Sequence, residues 1–268
     1  MTELPPIGIG TWQNTDPEEC TESVRTALEM GYRHVDTAEM YGNEDAVGEG
    51  IAAADVDRED VFLATKAHSQ GTGLTYDAVH ETAEGSLDRL GVEYLDMLYV
   101  HWPLGEYEPA ETLPAYDELV EAGTIRNVGV SNFEPFQVER AMEVLDAPAF
   151  ANQVEMHPLL QQEELVAHAQ EHDYYLVAYS PLARGDVFDV PEVVEVAEKH
   201  GVSPAQVSLA WLTSKDNVVA IPKATSRDHI ADNWAARDLA LDAEDVAKIE
   251  GIEREHRHLD PDGAAWNR

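Results

Sequence analysis

The chain reads as an α/β protein folded as a single (β/α)8 TIM barrel over residues 1–268. Eight short runs rich in β-branched, aromatic or other apolar residues recur, mostly roughly 25 to 35 residues apart, with helical periodicity between them. No stretch rich in Gly, Pro or Ser divides the 268 residues, a length that suits one barrel domain. A doubly wound sheet is the alternative. It is disfavoured because "GIGTW", after the first run, is too short to cradle a pyrophosphate and no G-x-G-x-x-G stands there.

The first run, Ile7–Trp12, begins almost at the N-terminus and leaves little room for a hairpin beneath the barrel. The next segment carries helix signals: Asp16 as N-cap, Pro17 at the first position, Glu18 and Glu19 at the positive end, and Gly31 as the stop. The second run, His34–Ala38, contains Asp36, with Tyr41 just beyond. The third, Val61–Ala67, carries Lys66, and the fourth, Tyr94–His101, finishes at His101. The fifth, Ile125–Asn132, ends in Ser131 and Asn132, and the sixth, Phe150–Met156, presents Gln153. Tyr179 and Ser180 belong to the seventh, Tyr175–Leu182. Two helices follow, near 190–200 and 203–214, the second with Ser203 as N-cap, Pro204 and a capping-box Gln206. The eighth run, Val218–Ala224, presents Lys223.

Composition narrows the function. Acidic residues number 53 against 17 basic ones, a formal net charge of −36, which repels nucleic acid and anionic membranes. The acids are spread through helical segments rather than gathered in a tail, so they read as acidic outer faces. Such a surface repels itself in dilute buffer and is screened within about 3 Å at 1 M salt. No signal peptide or membrane-spanning run is visible, and Cys20, the single cysteine, reads as filler of the first helix. The expectation is a cytoplasmic protein of a high-salt cell.

Barrel chemistry gathers at the C-terminal ends of the strands. Asp36, Tyr41, Lys66 and His101 all fall there, and the quartet suits proton donation to a developing alkoxide. A tyrosine gives up its proton reluctantly at neutral pH, and a neighbouring ammonium lowers its pKa. An inward lysine needs a carboxylate to keep its charge, and a histidine can orient and polarise a carbonyl oxygen. None of the four is a strong nucleophile, so the hydride has to come from elsewhere.

The segments "GYRHVDTAEMYGNE", "TKA", "DMLYVHWP", "GTIRNVGVSNF", "NQVEMHPLLQQ", "AYSPLARG" and "VVAIPKATSRDHIADN" resemble the aldo-keto reductase family in order and spacing. The resemblance runs from "GIGTW" to "LDPDGAAWN" and is nearest to the prokaryotic branch of diketogluconate and methylglyoxal reductases. It implies reduction of aldehydes and ketones with NADPH held across the barrel mouth. Asp36, Tyr41, Lys66 and His101 would be the catalytic tetrad, with Tyr41 as general acid. Ser131, Asn132 and Gln153 match positions holding the nicotinamide carboxamide, and Tyr179 the ring stacked on the nicotinamide. Thr11, Trp12 and Asp36 also match cofactor-contact positions, and Ser180, Pro181 and Leu182 line the pyrophosphate path. Lys223, Ala224, Thr225, Ser226, Arg227, His229, Asp232 and Asn233 match the grip on the adenosine end. Trp12 and Trp102 join Tyr41 and His101 around the substrate, a small carbonyl compound, and the resemblance implies a monomer.

Two departures bear on specificity. Ala224 stands where a serine often meets the 2′-phosphate, and His229 where an arginine usually does. A guanidinium offers phosphate a bidentate fork that an imidazole lacks, so NADH stays open as the alternative. His68 takes a pocket position that is often aromatic. Two rival readings are a nucleotide-binding regulator without catalysis and a metal-dependent barrel hydrolase. Against the latter, His168 and His172 have i, i+4 spacing in "HAQEH" but lack the H-E-x-x-H glutamate, so no metal centre is expected.

Overall fold

A computed structural model describes residues 3–267. Eight parallel strands follow one another around the sheet in chain order: β1 (Ile9–Gly10), β2 (His34–Asp36), β3 (Phe62–Ala67), β4 (Leu95–Val100), β5 (Ile125–Ser131), β6 (Ala149–Glu155), β7 (Tyr175–Tyr179) and β8 (Val218–Ala220). The sheet closes on itself. Ile7 bridges Ala220 and Gly10 bridges Lys223, and the Gly8 N–H donates to the Ala220 carbonyl at 2.9 Å. Closure is tight at Gly10, where a Cβ would lie 2.8 Å from the Ile221 carbonyl oxygen. Consecutive order and closure together exclude the doubly wound alternative.

Helices surround the barrel: α1 (Pro17–Met30), α2 (Glu44–Ala53), α3 (Tyr76–Leu90), α4 (Pro109–Glu121) and α5 (Pro135–Val144) in the first half. The second half adds α6 (Glu163–His172), α7 (Pro191–His200), α8 (Pro204–Thr213), α9 (Arg227–Ala235) and α10 (Ala243–Glu250). The signals of α1 act as expected: Asp16 accepts from the Glu19 N–H at 2.9 Å, and Gly31 ends the helix at φ 115°. Cys20 is buried inside α1. Ser203 caps α8, but Gln206 does not close a capping box. Its side chain donates to Asp232 at 2.5 Å instead, drawn to a carboxylate on neighbouring α9.

Several strands end earlier than their apolar runs. Asn132 (φ 64°) follows β5 and Ser180 (φ 48°) follows β7 in left-handed conformations that break the ladder. The polar residues beyond are thereby released from pairing and carried into the mouth.

One apolar layer lies between sheet and helices, and a second fills the barrel's lower interior with Phe62, Met97, Phe150, Val177 and Val219. Leu4 is buried against that inner group, so the short N-terminal segment still supplies one side chain to the bottom. His34 is fully buried there, edge-on to Phe62 with ring centroids 5.5 Å apart. Neither ring nitrogen has a partner, and burial, with the Lys66 charge, pushes the imidazole down to about 3 from 6.5.

A depressed folded-state value means that stability is whole above the unfolded value of 6.5 and drains away as pH falls toward 3. His34→Leu should therefore lose about 2 kcal/mol less than the parent between about pH 7 and about pH 5, read from urea unfolding at both pH values.

Candidate active site

At the C-terminal ends of the strands a cavity of about 540 Å³ opens. Beneath its floor lies a buried ion pair. Asp36 closes β2 and Lys66 lies within β3, so adjacent strands aim both side chains at the barrel axis. The Lys66 ammonium donates to Asp36 Oδ1 at 2.5 Å and to the Thr37 carbonyl at 2.7 Å. The second Asp36 oxygen accepts from Gln153 Nε2 at 2.8 Å, so both carboxylate oxygens are satisfied. Burial pushes the Asp36 carboxyl up and the Lys66 ammonium down, and their mutual attraction opposes both shifts.

Tyr41 ends a 3-10 turn, Glu39–Tyr41, that Gly42 stops at φ 64°. Its ring centroid lies 5.1 Å from the Lys66 nitrogen and 5.8 Å from that of His101. Burial first, then the charge of Asp36, pushes the phenol well above its usual value. The lowering expected from Lys66 does not overcome these effects. The ammonium's field is offset by the carboxylate bound to it, and desolvation of the phenolate decides the direction.

His101 follows β4 and is placed by its N–H bond to the Ala67 carbonyl at 2.9 Å. Burial holds its imidazole well below 6.5, with Lys66 and His68 acting the same way, so the ring is neutral at pH 7. Its Nδ1 has no partner. His68 stands perpendicular to it, centroids 5.0 Å apart, and accepts the Gln70 N–H on Nδ1 at 2.9 Å, which places the neutral ring's proton on Nε2. Asp36, Tyr41 and His101 all line the cavity, and Lys66 reaches it through its partners.

The other expected residues divide in two. Thr11, Trp12, Trp102, Ser131, Asn132, Gln153, Tyr179, Ser180, Pro181, Leu182 and Lys223 line the cavity. Within this group the polar side chains hold one another: Ser131 donates to the Gln153 carbonyl at 2.8 Å and Tyr179 to Asn132 Oδ1 at 2.8 Å. Asn132 Nδ2 bonds both the Ser131 hydroxyl and the His101 carbonyl, each at 3.0 Å. Ala224, Thr225, Ser226, Arg227, His229, Asp232 and Asn233 lie off the cavity, along the approach to α9 and its first turns. Ser226 caps α9, and Arg227 and His229 are exposed. Asp232 is engaged by two neighbouring side chains. Its carboxylate accepts from Ser203 at 2.6 Å and Gln206 at 2.5 Å, which ties α9 to the start of α8.

Sequence reasoning missed Met40, Arg184, Phe188 and Leu259 in the cavity wall. Arg184 stacks on Trp12 at 4.7 Å, and Trp102 packs on Trp266 of the C-terminal tail at 5.8 Å. Glu155, the last residue of β6, pins that tail by accepting the His258 N–H at 2.7 Å and the Leu259 N–H at 2.9 Å. Burial opposes its charge, but these bonds and that of His157 hold the carboxyl below its usual value. His168 and His172 lie on α6, away from the cavity.

Asp36→Asn leaves the ammonium buried without its counter-charge and should cost about 3–5 kcal/mol of stability. The double variant Asp36→Leu/Lys66→Met should recover most of that loss in the same urea-unfolding assay.

Comparison with known proteins bears on this arrangement. The profile of the Aldo/keto reductase family matches residues 6–254. An aldo-keto reductase of Mycolicibacterium smegmatis is 39% identical over 265 residues, 98% of this chain and 94% of its own length. The glyoxal reductase of Bacillus subtilis is 37% identical over 255 residues, covering 95% of this chain and 91% of its own. Among solved structures, a putative 2,5-diketo-D-gluconic acid reductase B superposes with a TM-score of 0.93 at 36% identity. It covers 98% of this chain and 92% of its own.

Proposed function

This chain belongs to the aldo/keto reductase family and is an oxidoreductase, and from that premise we propose that it reduces aldehydes and ketones to alcohols with NADPH. The observation that carries the reading is the convergence of Tyr41, His101 and the Asp36–Lys66 pair on one cavity.

The residues present fit a nicotinamide cofactor. Tyr179 offers a ring at the cavity wall, Ser131, Asn132 and Gln153 offer amide and hydroxyl groups beside it, and Lys223 and Arg227 place exposed cations where the cavity leads to the N-terminus of α9. NADPH supplies the hydride when bound. The remaining work falls to the protein. Neutral His101 orients the carbonyl oxygen by hydrogen bonding without competing for the proton. Tyr41, protonated throughout the neutral range, donates its phenolic proton to that oxygen as charge develops there. The Lys66 ammonium, 5.1 Å from the ring centroid, stabilises the phenolate left behind, and Asp36 fixes the lysine. Trp12 and Trp102 give the substrate planar, apolar walls.

Similarity to a glyoxal reductase and to a putative diketogluconate reductase supports a place in that branch. We assign the barrel as one domain over residues 1–268, monomeric and cytoplasmic. No helix among the described residues is long and apolar enough to cross a membrane. The net charge of −36 and exposed acids such as Glu163, Glu164 and Glu171 on α6 suit a high-salt cell.

Three measurements test these statements. Tyr41→Phe should lower kcat for carbonyl reduction by about 10²–10⁴-fold, and an unchanged kcat overturns the mechanism. NADPH should give the higher kcat/KM, since Lys223 and Arg227 remain to meet the 2′-phosphate, and a clear NADH advantage overturns that preference. The melting temperature should rise from dilute buffer to about 1 M salt as the acidic surface is screened, and a flat or falling Tm rules out the high-salt assignment.

A further inference from the structure

Two segments flank the cavity beside the ends of β6 and β7. One is the 3-10 stretch Ala183–Asp189, which supplies Arg184 and Phe188 to the wall, and the other is the C-terminal tail, which supplies Leu259. Where they meet, Asp186 of the first faces His256 and His258 of the second, with one potential ligand atom of each residue within 4.8 Å of the others.

We propose that Asp186, His256 and His258 bind a first-row transition-metal dication of the Zn²⁺ class, which ties the tail to the segment after β7. The donor set is two imidazoles and a carboxylate, three protein ligands that leave one tetrahedral position for water. His258 Nε2 lies 3.5 Å from Asp186 Oδ2. That is close to the roughly 3.3 Å separating two ligands bound about 2.0 Å from one tetrahedral ion. His258 Nε2 is buried with no hydrogen-bond partner, a deficit that a metal ion would satisfy. No hydrogen bond among the described residues engages the Asp186 carboxylate or the His256 ring, and both are exposed, so an ion reaches them without breaking a bond.

The main chain holds the two histidines in place beforehand. The His256 N–H donates to the Leu159 carbonyl at 2.8 Å, and the His258 N–H donates to Glu155. The strongly negative chain adds a general attraction for cations.

A neighbouring cluster, Glu155, His157 and His258, is the weaker candidate. Its Glu155 oxygens already accept two tail N–H groups and bond His157 at 3.0 Å, and an ion would have to displace the His157 bond. A third cluster, Glu139 with His168 and His172, lies on α5 and α6, away from the cavity wall. The proposed clasp bears on the cavity because Leu259 directly follows a ligand. It does not depend on the reductase reading.

The test is calorimetric titration of the chelator-treated full chain with ZnCl₂, paired with hydrogen exchange of the amides of residues 252–260. One equivalent should bind, His256→Ala and Asp186→Asn should each weaken it at least about tenfold, and His168→Ala/His172→Ala should leave it within about twofold. Saturating Zn²⁺ should slow tail exchange at least about tenfold in the parent and leave it unchanged in His256→Ala. The proposal is overturned by no binding, by binding that survives His256→Ala and Asp186→Asn, by loss on removing His168 and His172 instead, or by binding that leaves tail exchange unaltered.

Discussion

The ion pair between Asp36 and Lys66 is the constraint around which the mouth of this barrel is organised. An ammonium with no solvent exposure is tolerable only with a counter-charge in contact, and β2 and β3 are placed to provide it. The pair binds more than two strands. Gln153 reaches Asp36 from β6, on the far side of the barrel, and Ser131 reaches the Gln153 main chain from β5. Asn132 then links Ser131, His101 and Tyr179. A chain of hydrogen bonds thus runs from β2 through β6 and β5 to β4 and β7, and it fixes the cavity floor on rigid elements rather than loops.

That rigidity sets the electrostatics. With the lysine charge offset by its partner, desolvation dominates at the two residues above: Tyr41 is held protonated and His101 neutral. Both shifts serve the proposed chemistry in one direction. A phenol with a high pKa is a stocked proton donor, and a neutral imidazole can hold a carbonyl oxygen without protonating it. Oxidation of an alcohol would need the phenolate and is therefore favoured only toward alkaline pH.

The eight strands were legible because buried parallel strands form short apolar runs at regular spacing. Their exact ends were not, because Asn132 and Ser180 leave the ladder through left-handed backbone conformations, which residue type alone does not fix. Asp36, Tyr41, Lys66 and His101 could be placed at the mouth from their positions at strand ends, but the direction of the Tyr41 shift depends on burial, which no spacing encodes. The bonds of Asp232 were hidden for a related reason. Its position in the chain says nothing of which way the carboxylate turns, and Ser203 and Gln206 on α8 claim it. Leu259, Glu155 and the Asp186–His256–His258 group are assembled across long sequence separations, so neither period nor motif reveals them.

The most direct test of the central claim, that Tyr41 rather than a histidine holds the transferable proton, is the pH dependence of kcat/KM for NADPH-driven carbonyl reduction. With the phenol raised by burial, the rate should stay level from about pH 6 to about pH 9 and fall only at higher pH, as the donor ionises. A fall centred near about pH 6–7 would mark an imidazole as the proton donor and contradict the assignment.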